Sequence, residues 1–134
     1  MGADGNIKLI QSIYEAFGRG DVSAVLDGLA DEVDWATDTA SSAAPWYGVR
    51  NDKVGVAAFF QAFGSTMEVE EFTPNAFAAN DTEVFSVVRC RTKVRATGKP
   101  VDMNLHHYFV LRDSKIIYYR GTEDTSQVEA ALKP

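Results

Sequence analysis

Cysteine is nearly absent from the 134-residue sequence: Cys90 stands alone, so no intrachain disulfide can form, and no Cys/His spacing resembles a zinc site. A single thiol suits a reducing compartment, and a cytoplasmic location is expected. Four Pro and ten Gly are too few for a collagen-like or low-complexity chain. Basic charge is in deficit, with 13 Lys and Arg against 19 Asp and Glu and a net charge of −6, which argues against nucleic acid or an anionic membrane as partner. No apolar run approaches the ~20 residues of a bilayer span, and Met1 to Asn6 lack the basic-then-apolar order of a leader, so neither anchoring nor export is expected. There is no P-loop, no G-x-S-x-G and no H-E-x-x-H, and Gly18-Arg19-Gly20 follows a helix instead of a strand. No nucleotide cofactor, metal or covalent serine is expected.

What is present is an ordinary globular composition, 46% hydrophobic and 24% charged, in a length that fits one domain over residues 1–134. Ile7, Ile10, Ile13, Tyr14 and Phe17 recur at helical spacing up to Gly18. Asp21 can cap a second helix carrying Val22, Val25, Leu26 and Leu29, after which Asp31 and Glu32 are expected to turn the chain into a short strand, Val33 to Asp38. Residues 39–50 show no period and are expected to form a long loop. A third helix, capped by Asn51 or Asp52, carries Val56, Phe59, Phe60 and Phe63 and is expected to end at Gly64.

Strand periodicity then takes over. Glu68 to Ala79 reads as an extended strand interrupted by Pro74, Val84 to Ala96 alternates, and Thr97 to Pro100 forms a turn. On the next strand Val101, Met103, Leu105, His107, Phe109 and Leu111 share the core face. Arg112 to Lys115 turn the chain into Ile116 to Glu123, and Asp124 or Thr125 caps a short final helix. Helices that bury their stripes on one face of one curved sheet make an α+β domain with room for a pocket.

Several side chains draw attention as chemistry. His107, between Leu105 and Phe109, either serves as an acid, base or hydrogen-bond donor in a cavity or is a core histidine satisfied by a neighbour; His106 points to the opposite side, so the pair cannot chelate one metal. Glu123 shares the parity of Tyr119 and Gly121 and can bring a carboxylate to the cavity mouth. Trp35, Phe59, Phe63, Met103, Phe109 and Tyr119 are expected to line a pocket or pack the core, and Trp46 and Tyr47 to form its rim. Arg89, Arg91, Lys93 and Arg95 alternate on the outer face, where they can pair with acids on neighbouring strands or meet a second copy of the chain. Cys90 faces inward as a small hydrophobe.

Four stretches occur in a telling order: Tyr14 to Asp21, Leu29 to Trp35, Gly48 to Phe60, and His107 to Ile116 followed by Asp124-Thr125. Together they resemble, over nearly the whole chain, the SnoaL-like branch of the NTF2-like superfamily, which includes polyketide cyclases and relatives of ketosteroid isomerase. The resemblance implies a cone: a strongly bent mixed sheet wrapped round the long N-terminal helix, further helices on its concave side, an apolar cavity, and a homodimer. It places His107 where the isomerase carries an oxyanion-steadying group. Asp38 lies one residue from the general-base position, which Thr37 takes, and Tyr14 one residue from the oxyanion tyrosine, matched by Ile13. The implied activity is proton transfer on a small hydrophobic molecule, as in an isomerase, cyclase or epoxide hydrolase, with His107 and Asp38 catalytic and Tyr14 among the ligand-binding residues. A non-catalytic binding or accessory dimerisation module is the competing expectation, with the outer sheet face around Arg89 and Arg91 as the contact.

Overall fold

Ile10, Ile13, Tyr14 and Ala16 are buried along one face of α1 (Ala3–Gly18), the stripe that a 3.6-residue period requires. The computed structural model describes residues 2–134. Buried Asn6 ties the start of α1 to the rest, its side-chain amide donating to the carbonyls of Asn80 and Asp81 at 3.1 and 3.0 Å. In α2 (Val22–Asp27) the Asp21 carboxylate caps the helix by accepting from the Ala24 N–H at 3.0 Å.

The first strand, β1 (Leu29–Thr37), starts earlier than the expected Val33. Leu29, expected on the second helix, pairs in parallel with Ile116, and Glu32, expected in a turn, pairs with Asp52; both Asp31 and Glu32 stay exposed within the strand. Backbone groups that find ladder partners on other strands override a local helical pattern. The expected loop of residues 39–50 gives up its end to a short strand, β2 (Arg50–Asp52). Asp52 then caps α3 (Lys53–Thr66), accepting from the Gly55 N–H at 2.8 Å. This helix runs past the expected stop at Gly64, whose carbonyl accepts from Arg95 Nε at 3.0 Å.

The strands β3 (Met67–Ala79), β4 (Glu83–Val94), β5 (Pro100–Arg112) and β6 (Lys115–Thr122) follow, then α4 (Thr125–Leu132), capped by Asp124. They form one curved, unclosed six-stranded sheet in the order β2-β1-β6-β5-β4-β3, parallel only between β1 and β6. Pro74 does not break β3: the strand is at the sheet edge, and the register shifts between Pro74 and Ala76. Asp113 and Ser114, with φ of 51° and 60°, make the two-residue turn between β5 and β6, the backbone twist that a tight hairpin favours.

The alternation of β4 and β5 decides what faces inward. Val88, Cys90 and Val94 from β4 and Val101, Met103, Leu105, Phe109 and Leu111 from β5 are all buried, with α1 against β4 and α4 against β5 and β4. On the outer face Arg89 pairs with Asp102, Arg91 with Glu71 at 3.3 Å and Lys93 with Glu68 at 3.5 Å. No helix among the described residues is long and apolar enough to cross a membrane.

Candidate functional site

A cavity of about 70 Å³ lies between α1, α3 and the inner face of the sheet. Its walls are mainly aromatic. Trp35 stacks on Tyr119 with ring centroids 4.0 Å apart, and Phe59, Phe63 and Phe109 close the space around them. Tyr14, His107, Tyr119, Thr122 and Glu123 supply polar side-chain groups to the lining. The indole N–H of Trp35 is buried without a partner, a deficit worth about 1–3 kcal/mol.

His107 reaches this cavity because β5 alternates, and α1 meets it there. The Tyr14 hydroxyl lies 2.7 Å from His107 Nδ1 and is also hydrogen-bonded to Ser86 Oγ, an inward residue of β4 that pairs with His107 in register. Burial, with a smaller contribution from His106, pushes the His107 pKa down to about 3, so the ring is neutral at pH 7. Burial also raises the Tyr14 pKa, so its proton stays on. These contacts fit two relays, and in the one where Ser86 donates to the Tyr14 oxygen and Tyr14 donates to Nδ1 the ring proton sits on Nε2. Nε2 has no partner among the described residues, and His107 lines the cavity, so this N–H is left for a ligand.

Glu123 lies just past the end of β6. His107 pairs with Gly121, and Glu123 follows at the same parity, about 7 Å further along an extended chain. Its two carboxylate oxygens accept from Trp46 Nε1 and from the Tyr47 hydroxyl, each at 2.9 Å. Burial raises the Glu123 pKa, and those two hydrogen bonds oppose the rise without cancelling it. The result is a fixed carboxylate more basic than an ordinary one. Gly121 between these groups has a steric reason, since a methyl there would overlap the Tyr119 hydroxyl and press on His107 Cδ2 at 3.1 Å.

Of the expected site residues, Tyr14, Trp35, Phe59, Phe63 and Phe109 line the cavity, as do His107, Tyr119 and Glu123. Four do not. Asp38 is exposed at the end of β1, outside the lining, because the strand's inward parity is spent on Trp35 and Thr37 and the chain then leaves the sheet. Met103 is buried away from the cavity, and Trp46 and Tyr47 are buried behind Glu123 instead of forming a rim. Sequence reasoning passed over Ser86, whose signal was a polar residue at an inward position of β4. It also passed over Phe72 as a cavity residue, since β3 carries no clean alternation. Burial pushes the Cys90 thiol up to about 12, which makes it a poor nucleophile.

Residues 10–119 match the SnoaL-like domain. The chain belongs to the SnoaL-like family. This SnoaL-like protein superposes on an NTF2-like protein from Burkholderia xenovorans LB400 with a TM-score of 0.87, at 22% identity over 99% of each chain. An LEH-like epoxide hydrolase from M. tuberculosis aligns with a TM-score of 0.75, at 13% identity over 97% of this chain and 90% of that one. A candidate polyketide cyclase from Xanthomonas campestris pv. campestris gives 0.76, at 20% identity over 96% of both chains. Likeness at these identities is one of fold, and the fold is the expected NTF2-like one. No curated protein matches the chain.

Proposed function

We propose that this SnoaL-like protein is a cofactor-independent acid/base enzyme for a small, largely apolar substrate that carries a carbonyl or epoxide oxygen. Glu123 is the proton-transferring base, His107 the donor to the oxygen, and Tyr14 the positioning residue that sets the imidazole tautomer. The observation that supports this most is the presence of a buried, basic carboxylate and a neutral imidazole on one aromatic-walled cavity. With a β,γ-unsaturated ketone, Glu123 removes a proton from the carbon between the carbonyl and the double bond, the electron pair is shared through the dienolate onto oxygen, and the Nε2–H of His107 donates to that oxyanion. The protonated Glu123 then returns its proton at another carbon, which leaves an isomer and the enzyme unchanged. Asp38, exposed outside the cavity, has no part in this scheme.

The test is turnover of a panel of apolar ketones, lactones and epoxides by wild type, Glu123→Gln and His107→Asn. Glu123→Gln is expected to lower kcat/KM by about 10²–10⁴ and His107→Asn by about 10²–10³. Equal activity in wild type and Glu123→Gln would sink the assignment. The small cavity favours a second reading, a ligand-holding or accessory module on the same fold. Such a module binds members of the panel without turning any over.

The partner we propose for the outer sheet face is a second copy of the chain. Arg89, Arg91 and Lys93 are already paired within the chain, so that face is locally neutral on a protein of net charge −6. Next to it Phe85, 48% exposed, stacks on Tyr108 at 4.8 Å. An aromatic patch beside a charge-balanced row is what two acidic copies can bring together with little charge repulsion. The aromatic patch, more than Arg89 and Arg91, is the core of this contact. A single buried thiol is in keeping with a cytoplasmic location.

A further inference from the structure

The inner cavity is too small for the substrates just described. About 30 Å³ is one water's share of liquid, and a cavity of about 150 Å³ is known to take benzene, whereas this one measures about 70 Å³. A side chain must therefore move before a ring system reaches His107 and Glu123. Beyond the cavity wall lies a groove of about 470 Å³ between α1, α3 and β3. Phe17, Phe60, Phe63 and Phe72 border both spaces.

Phe72 differs from the other three in two respects. It also borders a second outer groove beside Gln11 and Phe77, so it is the one side chain common to all three spaces. It is carried by β3, a sheet-edge strand bonded on one side only, with register irregularities on either side of it, between Val69 and Glu71 and between Pro74 and Ala76. Its ring is partly exposed and fills the gap between Tyr14 and Phe17, at centroid distances of 5.4 and 4.9 Å. The other three rings stand on helices, whose backbones have less freedom than a bulged edge.

We propose that Phe72 is the movable partition of a ligand site that spans the inner cavity and the α1/α3/β3 groove, and that the substrate is an extended apolar molecule of two or three fused or linked rings. Its oxygen-bearing end sits at His107 and Glu123, and its body crosses the position of Phe72 into the groove. The joined space reaches the several-hundred Å³ range of ordinary small-molecule sites. The orientation of the ligand rests on the catalytic reading above; the extent of the site does not.

The probe is N-phenyl-1-naphthylamine, a neutral three-ring fluorophore too large for the inner cavity alone. Its binding is followed by fluorescence in wild type, Phe72→Trp, Phe72→Ala and Leu105→Phe, the last at a position that lines the inner cavity and not the groove. Binding to wild type is expected, weakened at least 10-fold by Phe72→Trp and by Leu105→Phe, with association at least 5-fold faster in Phe72→Ala. Circular dichroism and the thermal midpoint check that each variant is folded; if Phe72→Trp is not, Phe72→Ala alone carries the test. An absence of probe binding, or binding and rates indifferent to Phe72, overturns the proposal. So does binding that Leu105→Phe leaves intact, because the probe then occupies the groove only. Probe binding that depends on Phe72 in a protein that turns over no member of the panel keeps this site and removes the chemistry, so the two failures are distinct.

Discussion

His107 and Glu123 are displaced in opposite directions by the same burial. The folded imidazole holds its pKa near 3 against 6.5 for a free one, so between those values the unfolded chain takes up a proton that the folded chain refuses. Stability at His107 is therefore complete above pH 6.5 and falls as the pH drops, by up to about 1.4 kcal/mol per pH unit. Glu123 runs the other way. Its raised pKa gives a contribution that is full below the unfolded carboxylate value and is lost as the pH rises through the folded one. Urea unfolding at pH 7 and pH 5 isolates the imidazole: wild type is expected to lose about 2 kcal/mol more over that interval than His107→Asn, which has no ring to protonate. Equal losses would mean that the imidazole is hydrated and titrates normally. The inward placement of His107 was legible from the period of two along its strand. Its partner was not, because Tyr14 is 93 residues away and nothing local to either residue encodes the contact.

At the scale of elements, caps and faces were legible and extents were not. Asp21, Asp52 and Asp124 each cap the helix that their position announces, since a short carboxylate one residue before a helix meets free N–H groups whatever the rest of the chain does. Asp52 is exposed and joins β2 to α3. Replacing it with Ala is expected to lower stability by about 1 kcal/mol in urea unfolding, and replacing it with Asn or Ser to recover most of that; an unchanged midpoint in Asp52→Ala would show that the cap contributes nothing. Leu29 shows why extents escaped. It satisfies the spacing of the second helix as well as it satisfies a strand, and its parallel pairing with Ile116 decides between them. The strand β2 is too short to carry any period, so only its pairing with β1 reveals it.

For the whole molecule, the paired cations of β4 and the exposed ring of Phe85 share the outward side of one strand. A chain with a net charge of −6 resists self-association least where its charges are balanced, as they are along the row of paired cations on β4. Sedimentation at micromolar concentration is expected to show a dimer for wild type and a monomer for Phe85→Glu, which puts two like charges into the contact without touching the cavity. A dimer that survives Phe85→Glu would place the interface elsewhere. Low salt sensitivity is a further expectation of the proposed contact, which rests on the aromatic patch and not on the arginine row.

The sequence by itself determined what short-range geometry determines: the inward and outward sides of β4 and β5, the helix caps, the tight hairpin turn, and a family resemblance spread along the chain. It named most of the cavity wall for the same reason, because side chains that alternate on a strand or recur on a helix must share a face. Tertiary structure alone decided which carboxylate shares the cavity with the imidazole. Asp38 and Glu123 both lie near strand ends, where periodicity stops, and the difference between them is made by Trp46 and Tyr47, which arrive from a loop 77 and 76 residues distant to hold Glu123 in place. Tertiary structure also decided how much space is left, since the volume of a cavity depends on how aromatic rings from α1, α3 and β3 settle against one another. Close packing is a property of all those contacts together and is written in no single segment.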